Sequence, residues 1–270
     1  MITFPNAKIN IGLNITEKRS DGYHNLETIF YPIEVCDTLE FVESDKTKFT
    51  YSGLKIDGEA DNNLIMKAYR LLREEFDLPA LHVHLHKAIP MGAGLGGGSA
   101  DAAFMLKMIN DEFALGLTSA KLQEKAAKLG ADCAFFIENS PTLAKGIGNI
   151  FEPTYVNLSG YHIVLVKPEV HVSTAEAYGG CKPQRWETPL EEAIKRPIAE
   201  WKECVFNDFE KTVFTAHPEL ANIKEMLYKK GAIYVAMSGS GSTIYGIFEK
   251  EIEQNIITDI KSDIFYLTLK

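Results

Sequence analysis

PMGAGLGGGSADAA, from Pro90 to Ala103, sets five glycines (Gly92, Gly94, Gly96, Gly97 and Gly98) just ahead of Ser99 and an alanine-rich stretch. Glycine admits backbone angles closed to other residues and lets a ligand lie against the main chain. A helix beginning there would add unpaired N–H groups and the positive end of its dipole. Together these make a cradle for an anion, phosphate above all. Gly92, Gly94 and Gly97 fit GxGxxG, but a dinucleotide fold wants a further strand soon after the helix, carrying an acid for the ribose. Here a second helical pattern comes next. A Walker loop wants lysine before the Ser/Thr, and Gly98 holds that place. A plain surface loop with Ser99 as helix cap stays open; so dense a glycine run between strand and helix favours the cradle.

Other residues could join it. Asp132, in GADCAFF, follows Gly130, which reads as a helix-closing glycine, and precedes an apolar helical stretch. Local evidence makes it a helix cap, although a carboxylate held at a helix start is also well oriented for chemistry. MSGSGSTIYG, Met237 to Gly246, reads as a tight hairpin or as a second anion-contacting loop. Near the start of the chain, Ile9, Ile11, Leu13 and Ile15 form one row of an alternating strand, and Lys8, Asn10, Gly12 and Asn14 form the other. A solvated strand lysine is the default for Lys8, yet a lysine beside an asparagine is an odd choice for a merely solvated face. His82, His84 and His86 share a strand face and could hold a metal. With no carboxylate or cysteine at a recognisable spacing, an exposed face is the better reading.

The elements that must position these groups follow from periodicity. Strands are expected around 26–34, 38–50 and 80–89, with a turn at Asp21-Gly22. A helix over 61–76 would be capped by Asp61 or Asn62, and helices over 99–112 and 119–129 follow. Strand and turn are expected over 142–155, a strand at 161–166, helices near 189–200 and 218–229, and strands at 232–237 and 243–248. A helix and a strand at 263–269 close the pattern. This is an α+β order, not a regular βαβ alternation. A boundary at Pro153 or Gly160 would leave halves of 1–155 and 156–270.

The chain has 270 residues, 46% hydrophobic and 24% charged, with a formal net charge of −9. That charge argues against nucleic acid or anionic lipid as a partner, so an anionic ligand needs its cations gathered in a pocket. Cys36, Cys133, Cys181 and Cys204 lie far apart and give no zinc framework. With no signal-like or membrane-spanning segment, a cytoplasmic chain with reduced thiols is expected.

PNAKINIGL, PMGAGLGGGSADAA, GADCAFF and SGSGST, in that order, resemble the GHMP kinase superfamily. RSDGYHNLET (Arg19 to Thr28) with NDFE (Asn207 to Glu210) narrows the likeness to its branch acting on 4-diphosphocytidyl-2-C-methyl-D-erythritol in the non-mevalonate route to isoprenoids. The resemblance implies a two-domain α+β architecture: a ribosomal-S5-domain-2-like ATP-binding N-terminal domain and a ferredoxin-like C-terminal domain, with substrate between them. It implies transfer of the γ-phosphoryl of ATP to the substrate's 2-hydroxyl, with magnesium carried on the phosphates and no protein ligand for it named. Lys8 and Asp132 would be the catalytic pair, the carboxylate accepting the hydroxyl proton and the ammonium offsetting phosphoryl charge. ATP would lie on Pro90, Met91, Gly92, Ala93, Gly94, Leu95, Gly96, Gly97, Gly98, Ser99 and Ala100, with Asn63, Leu64 and Lys87 at the adenine. Substrate would meet Asn10, Tyr23, His24, Thr174, Tyr178 and Gly239, the cytosine held by Tyr23 and His24 and closed over by Tyr178. Two positions depart from the family's pattern: Ala100 stands where a second serine is common, and Cys133-Ala134 where Val-Pro is usual. Cys133 reads as a small buried thiol, not a nucleophile. Two competing readings are a GHMP kinase for homoserine or a mevalonate derivative, and a non-catalytic anion- or RNA-binding protein on the S5-like fold. The DGYH turn and the Lys8/Asn10 pair weigh against the first; the net charge, and the presence of both Lys8 and Asp132, weigh against the second.

Overall fold

The computed structural model describes residues 1–56, 62–253 and 261–269. Strands β1 (Ile2–Thr3), β2 (Asn6–Lys18), β3 (His24–Cys36), β4 (Thr38–Glu43) and β5 (Lys48–Gly53) lead to α1 (Leu64–Arg73), β6 (Leu81–Lys87), α2 (Gly97–Glu112), α3 (Ser119–Ala127) and α4 (Phe135–Glu138). Then come β7 (Thr142–Lys145), β8 (Ile150–Pro153), β9 (His162–Pro168), α5 (Thr174–Gly179) and α6 (Leu190–Ala193). A 3-10 turn (Ile198–Glu203), α7 (Phe209–Ala216), α8 (Pro218–Lys229), β10 (Tyr234–Met237), β11 (Ile244–Phe248) and β12 (Ser262–Thr268) complete the order. The architecture is α+β, as the pattern predicts.

The chain forms two compact units, each discontinuous in sequence. One gathers residues 1–8, 35–91 and 96–140; the other gathers 9–34, 92–95 and 141–270.

The first unit is built on a sheet of order β1-β4-β6-β5, in which β5 and β6 run parallel and the other pairs antiparallel. β6 alternates cleanly: Leu81, Val83, Leu85 and Lys87 are buried in one row. The histidines of the other row meet hydroxyls of β5, with Thr50 Oγ1 2.9 Å from His84 Nδ1 and Ser52 Oγ 2.9 Å from His86 Nδ1. α1 buries Ile65, Ala68, Tyr69 and Leu72, and α2 buries Ala102, Ala103, Leu106 and Ile109, at helical spacing. The cap of α1 is Asn63, whose Oδ1 accepts from the Ile65 N–H at 2.9 Å. This corrects the expected cap at Asn62; Asp61 lies outside the described residues. The strand expected over 38–50 breaks in two, because the Ser44 hydroxyl donates to the Lys46 carbonyl at 2.6 Å and turns the chain.

The second unit holds sheets of order β2-β3-β7-β8 and β10-β11-β9-β12, the latter wholly antiparallel. Its core joins Leu13 and Ile15 to Val164, Val166, Phe209, Val213, Leu220, Leu227 and Val235. β2 is buried on both faces from Ala7 to Ile15, so the polar row is as enclosed as the apolar one. The helix expected over 189–200 splits, because Pro197 lacks an N–H and disfavours helical geometry in the residue before it. α5 and α7 are short helices that periodicity did not single out. The helix expected between β11 and β12 falls largely outside the described residues.

Candidate active site

In the first unit, Lys8 Nζ lies 3.5 Å from Asp132 Oδ2. β2 delivers the lysine and the turn between α3 and α4 delivers the aspartate. The Lys8 side chain is 4% exposed and that of Asp132 34%, so the carboxylate is the half of the pair open to a ligand. Burial draws the Lys8 ammonium below its ordinary range, and the adjacent Asp132 charge works against that shift. The structure removes the capping role from Asp132: α4 starts after Ala134 with no side-chain cap. Nor does Gly130 close α3 in left-handed geometry, since the helix ends at Lys128, with φ −72.

The same unit carries the start of α2. Gly96 caps the helix at φ 71, and a Cβ there would stand 3.1 Å from Lys8 Cε and 3.0 Å from the Phe136 ring. A side chain at Gly96 would therefore crowd the lysine stem. At Gly97 a Cβ would meet Ile89 Cγ2 at 2.8 Å and Lys87 Nζ at 2.9 Å. At Gly98, which is exposed, it would meet nothing within 4 Å. Packing thus accounts for glycine at 96 and 97, but not at 98. A bare position in the first helical turn, beside unpaired N–H groups, fits an anion that comes up against the backbone. Ser99 bonds to the Cys133 thiol, which burial pushes up to about 11, so the sulfur stays protonated and does not serve as a nucleophile. Ala100 is fully buried and could show no hydroxyl to a ligand even if it were serine.

Of the residues expected at adenine, Leu64 is half-buried and Asn63 is engaged as the α1 cap. Lys87, also expected there, has its side chain 2% exposed and its ammonium held by Asp37 and Asp101.

In the second unit the two glycine-rich loops meet. Ser238 Oγ donates to the Gly94 carbonyl at 2.8 Å, and Thr243 N–H to that of Ala93 at 3.3 Å. Gly94, at φ 75, has no space for a side chain against the Ser238 carbonyl. Ala93, Leu95 and Pro90 are buried, whereas Met91 and Gly92 are exposed. Asn10 is 3% exposed; its amide donates to Thr28 Oγ1 at 2.9 Å and its backbone N–H to Ser238 Oγ at 3.1 Å. A Cβ on Gly239 would stand 3.2 Å from Asn10 Oδ1, so these two expected substrate residues adjoin. Tyr23 is 64% exposed, just past a turn in which Arg19 N–H donates to its carbonyl at 2.9 Å. His24 and Tyr178 stack on each other with centroids 4.9 Å apart. A base sandwiched between two rings needs roughly twice the ordinary stacking distance. Tyr178 therefore covers His24 here and could flank a base only by swinging away. Thr174 is exposed at the first position of α5.

Sequence reading gave no role to several residues that hold these parts in place. Asn207 donates its amide to the carbonyls of Met237 and Gly239, both at 2.8 Å, and so fixes the SGSGST turn. Glu210 Oε1 accepts from Met237 N–H at 2.8 Å. The NDFE run was the available signal: a polar pair opening a helix without local periodic reason. Thr28, Ser238, Asp37 and Asp101 carried no comparable mark.

Residues 63–139 match the GHMP kinases N terminal domain and residues 190–263 the GHMP kinases C terminal domain. A curated protein of Bacteroides fragilis, 4-diphosphocytidyl-2-C-methyl-D-erythritol kinase, is 60% identical over 255 residues, 93% of each chain. A protein of the same name from Parabacteroides distasonis is 54% identical over 262 residues, 96% of this chain and 97% of that one. A crystal structure of 4-(cytidine 5′-diphospho)-2C-methyl-D-erythritol kinase superposes with a TM-score of 0.79 at 29% identity, covering 92% of this chain and 90% of the other. With both domains matched in order and more than half the residues shared with curated relatives, the chain belongs to the GHMP kinase family, in the branch of the 4-diphosphocytidyl-2-C-methyl-D-erythritol kinases.

Proposed function

We propose that the protein transfers the γ-phosphoryl group of ATP to the 2-hydroxyl of 4-diphosphocytidyl-2-C-methyl-D-erythritol, giving the 2-phosphate and ADP. The observation that carries this reading is the 3.5 Å approach of Lys8 Nζ to Asp132 Oδ2 in the unit that also holds the glycine start of α2. Phosphoryl transfer asks a protein mainly for positioning and charge compensation. The first turn of α2 would take up phosphate oxygens through its backbone N–H groups, with Gly98 leaving the surface bare. Asp132 would accept the hydroxyl proton as the O–P bond forms, and Lys8 would hold that carboxylate ionised while offsetting charge on the phosphoryl oxygens. Asn10, Gly239, Tyr23, His24, Thr174 and Tyr178 would bind the substrate, with Tyr178 turning off His24 to admit the base.

Magnesium would supply further charge neutralisation on the phosphates. Among the described residues no three His, Cys, Asp or Glu side chains are grouped to hold a metal ion. We assign residues 1–155 to the ATP-binding domain and 156–270 to the second, since the two family matches fall on either side of that boundary. No helix among the described residues is long and apolar enough to cross a membrane. Cys133, Cys181 and Cys204 are free thiols, which suits the cytoplasm.

The test is purified protein with Mg-ATP and a panel of alcohols. ADP release only with the cytidine diphosphate substrate is expected. Turnover of homoserine or mevalonate in its place, or nucleotide binding without transfer to any of them, would overturn the assignment.

A further inference from the structure

Three buried ionisable groups stand behind the start of α2, and the transfer step uses none of them. Lys87, the last residue of β6, donates to Asp37 and to Asp101 Oδ2, the latter at 2.9 Å. Asp37, in the bend between β3 and β4, is fully buried, and its Oδ1 accepts the N–H groups of Ala88 at 2.6 Å and Ile89 at 2.9 Å. Asp101, in the second turn of α2, is 3% exposed, and its Oδ1 has no hydrogen-bond partner. The three side chains therefore tie the point where the chain leaves β6 to the point where it has entered α2. The glycine run lies between those points. Lys87 Nζ also stands 2.9 Å from the place a Cβ on Gly97 would occupy, so the ammonium abuts the backbone of the helix's first residue.

Were all three ionised, two carboxylates around one ammonium would leave a surplus negative charge where charge is expensive to bury. Burial pushes Asp101 up to about 8, against the pull of Lys87 and with a contribution from Asp37. Fold stability alone would be served as well by a one-to-one pair or by apolar side chains. A third member with an unsatisfied oxygen needs another reason, and its place gives one: it fixes the helix turn nearest the anion.

We propose that Asp37, Lys87 and Asp101 form a clasp that sets the first turn of α2 at the spacing from β6 required by the nucleotide's phosphates. All three are positioning residues, and the proposal rests on the phosphotransfer reading of the site. Asp101→Ala leaves a balanced Lys87–Asp37 pair and should fold, whereas Asp101→Asn keeps an acceptor for Lys87. The KM for ATP should rise about tenfold in Asp101→Ala, equivalent to ~1.4 kcal/mol. The KM for the alcohol should stay within about twofold of wild type, and Asp101→Asn should restore ATP affinity. Amide hydrogen exchange over Gly97 to Ala100 should be faster in the alanine variant than in the asparagine variant. If Asp101→Ala does not fold, Asp101→Ser, too short to reach Lys87, carries the same comparison. An unmoved KM for ATP, equal rises in both KM values, or failure of Asn to rescue would overturn the clasp. Calorimetric titration of the wild type with ATP separates the two readings: no binding defeats phosphotransfer itself, while binding with unmoved KM values defeats only the clasp.

Discussion

Lys8 is a charged group placed where water cannot stabilise its charge, and its surroundings decide what that charge can do. Its ammonium keeps a partner in Asp132, whose carboxylate faces outward enough to meet an incoming hydroxyl. Removing either side chain should lower kcat by about 100- to 10,000-fold, the scale of a lost acid–base or charge-stabilising group. Steady-state rates of Lys8→Ala and Asp132→Asn check this, alongside circular dichroism to establish folding; a rate within a few-fold of wild type removes that residue from the mechanism. Because burial lowers the Lys8 pKa, the ammonium is lost at a pH below the 10.5 of a solvated lysine. The active form lies on the acid side of that ionisation, so kcat should fall with rising pH before 10.5 is reached. A profile of kcat that stays level to that point would count against a charged Lys8 in the transfer. The pairing of Lys8 with Asn10 was legible in the alternation of β2. The enclosure of Lys87 was also written there, since it falls in register with Leu81, Val83 and Leu85 on the buried row. What no residue pattern disclosed was the company Lys87 keeps, because Asp37 and Asp101 lie fifty residues before it and fourteen after.

At the scale of the element, α2 is a packed core helix whose first turn is also the proposed phosphate cradle, and Gly98 separates the two roles. An alanine there would meet nothing in the protein, and alanine favours a helix over glycine by roughly 0.5–1 kcal/mol. Gly98→Ala is therefore expected to melt at the same temperature or higher, yet to bind ATP more weakly. Calorimetry and the KM for ATP read the two effects independently; unchanged ATP affinity would return Gly98 to the status of a simple loop residue. The element itself was well read from sequence, because apolar spacing along α2 and the glycines before it both survive folding. α5 and α7 were not, being too short for periodicity to speak. The stacking of His24 on Tyr178 was out of reach for another reason: it joins residues far apart in sequence, and no local rule says which rings will meet.

For the molecule as a whole, the surplus acid of the clasp gives stability a dependence on pH. Asp101 binds its proton up to about pH 8 when folded, while an ordinary aspartate releases it near 3.8. The folded state then carries the extra proton between those values, so this group's contribution to stability is full below 3.8 and is lost as pH climbs to about 8. Other groups titrate over the same span, so the comparison is with Asp101→Asn, which lacks this contribution. Melting temperatures from pH 5 to 9 should fall more steeply in the wild type than in Asp101→Asn. Parallel curves would mean that the carboxyl does not hold its proton. The family and the α+β order were legible because motifs keep their sequence order whatever the fold does. How the two compact units share the chain was not, since that depends on strand partners such as β3 with β7, which lie more than a hundred residues apart.

That interleaving has a consequence for the newborn chain. As the ribosome extrudes it, every segment of the first unit has appeared once Ser140 emerges, so that unit can mature while synthesis continues. β2 and β3 emerge early; β3 has no β7 to pair with until Thr142–Lys145 is made, and Leu13 and Ile15 wait longer still, until α7 and α8 arrive to cover them. Two long apolar strands must wait, unsheltered, for the tail to arrive, and in that interval the nascent polypeptide is most in need of a chaperone.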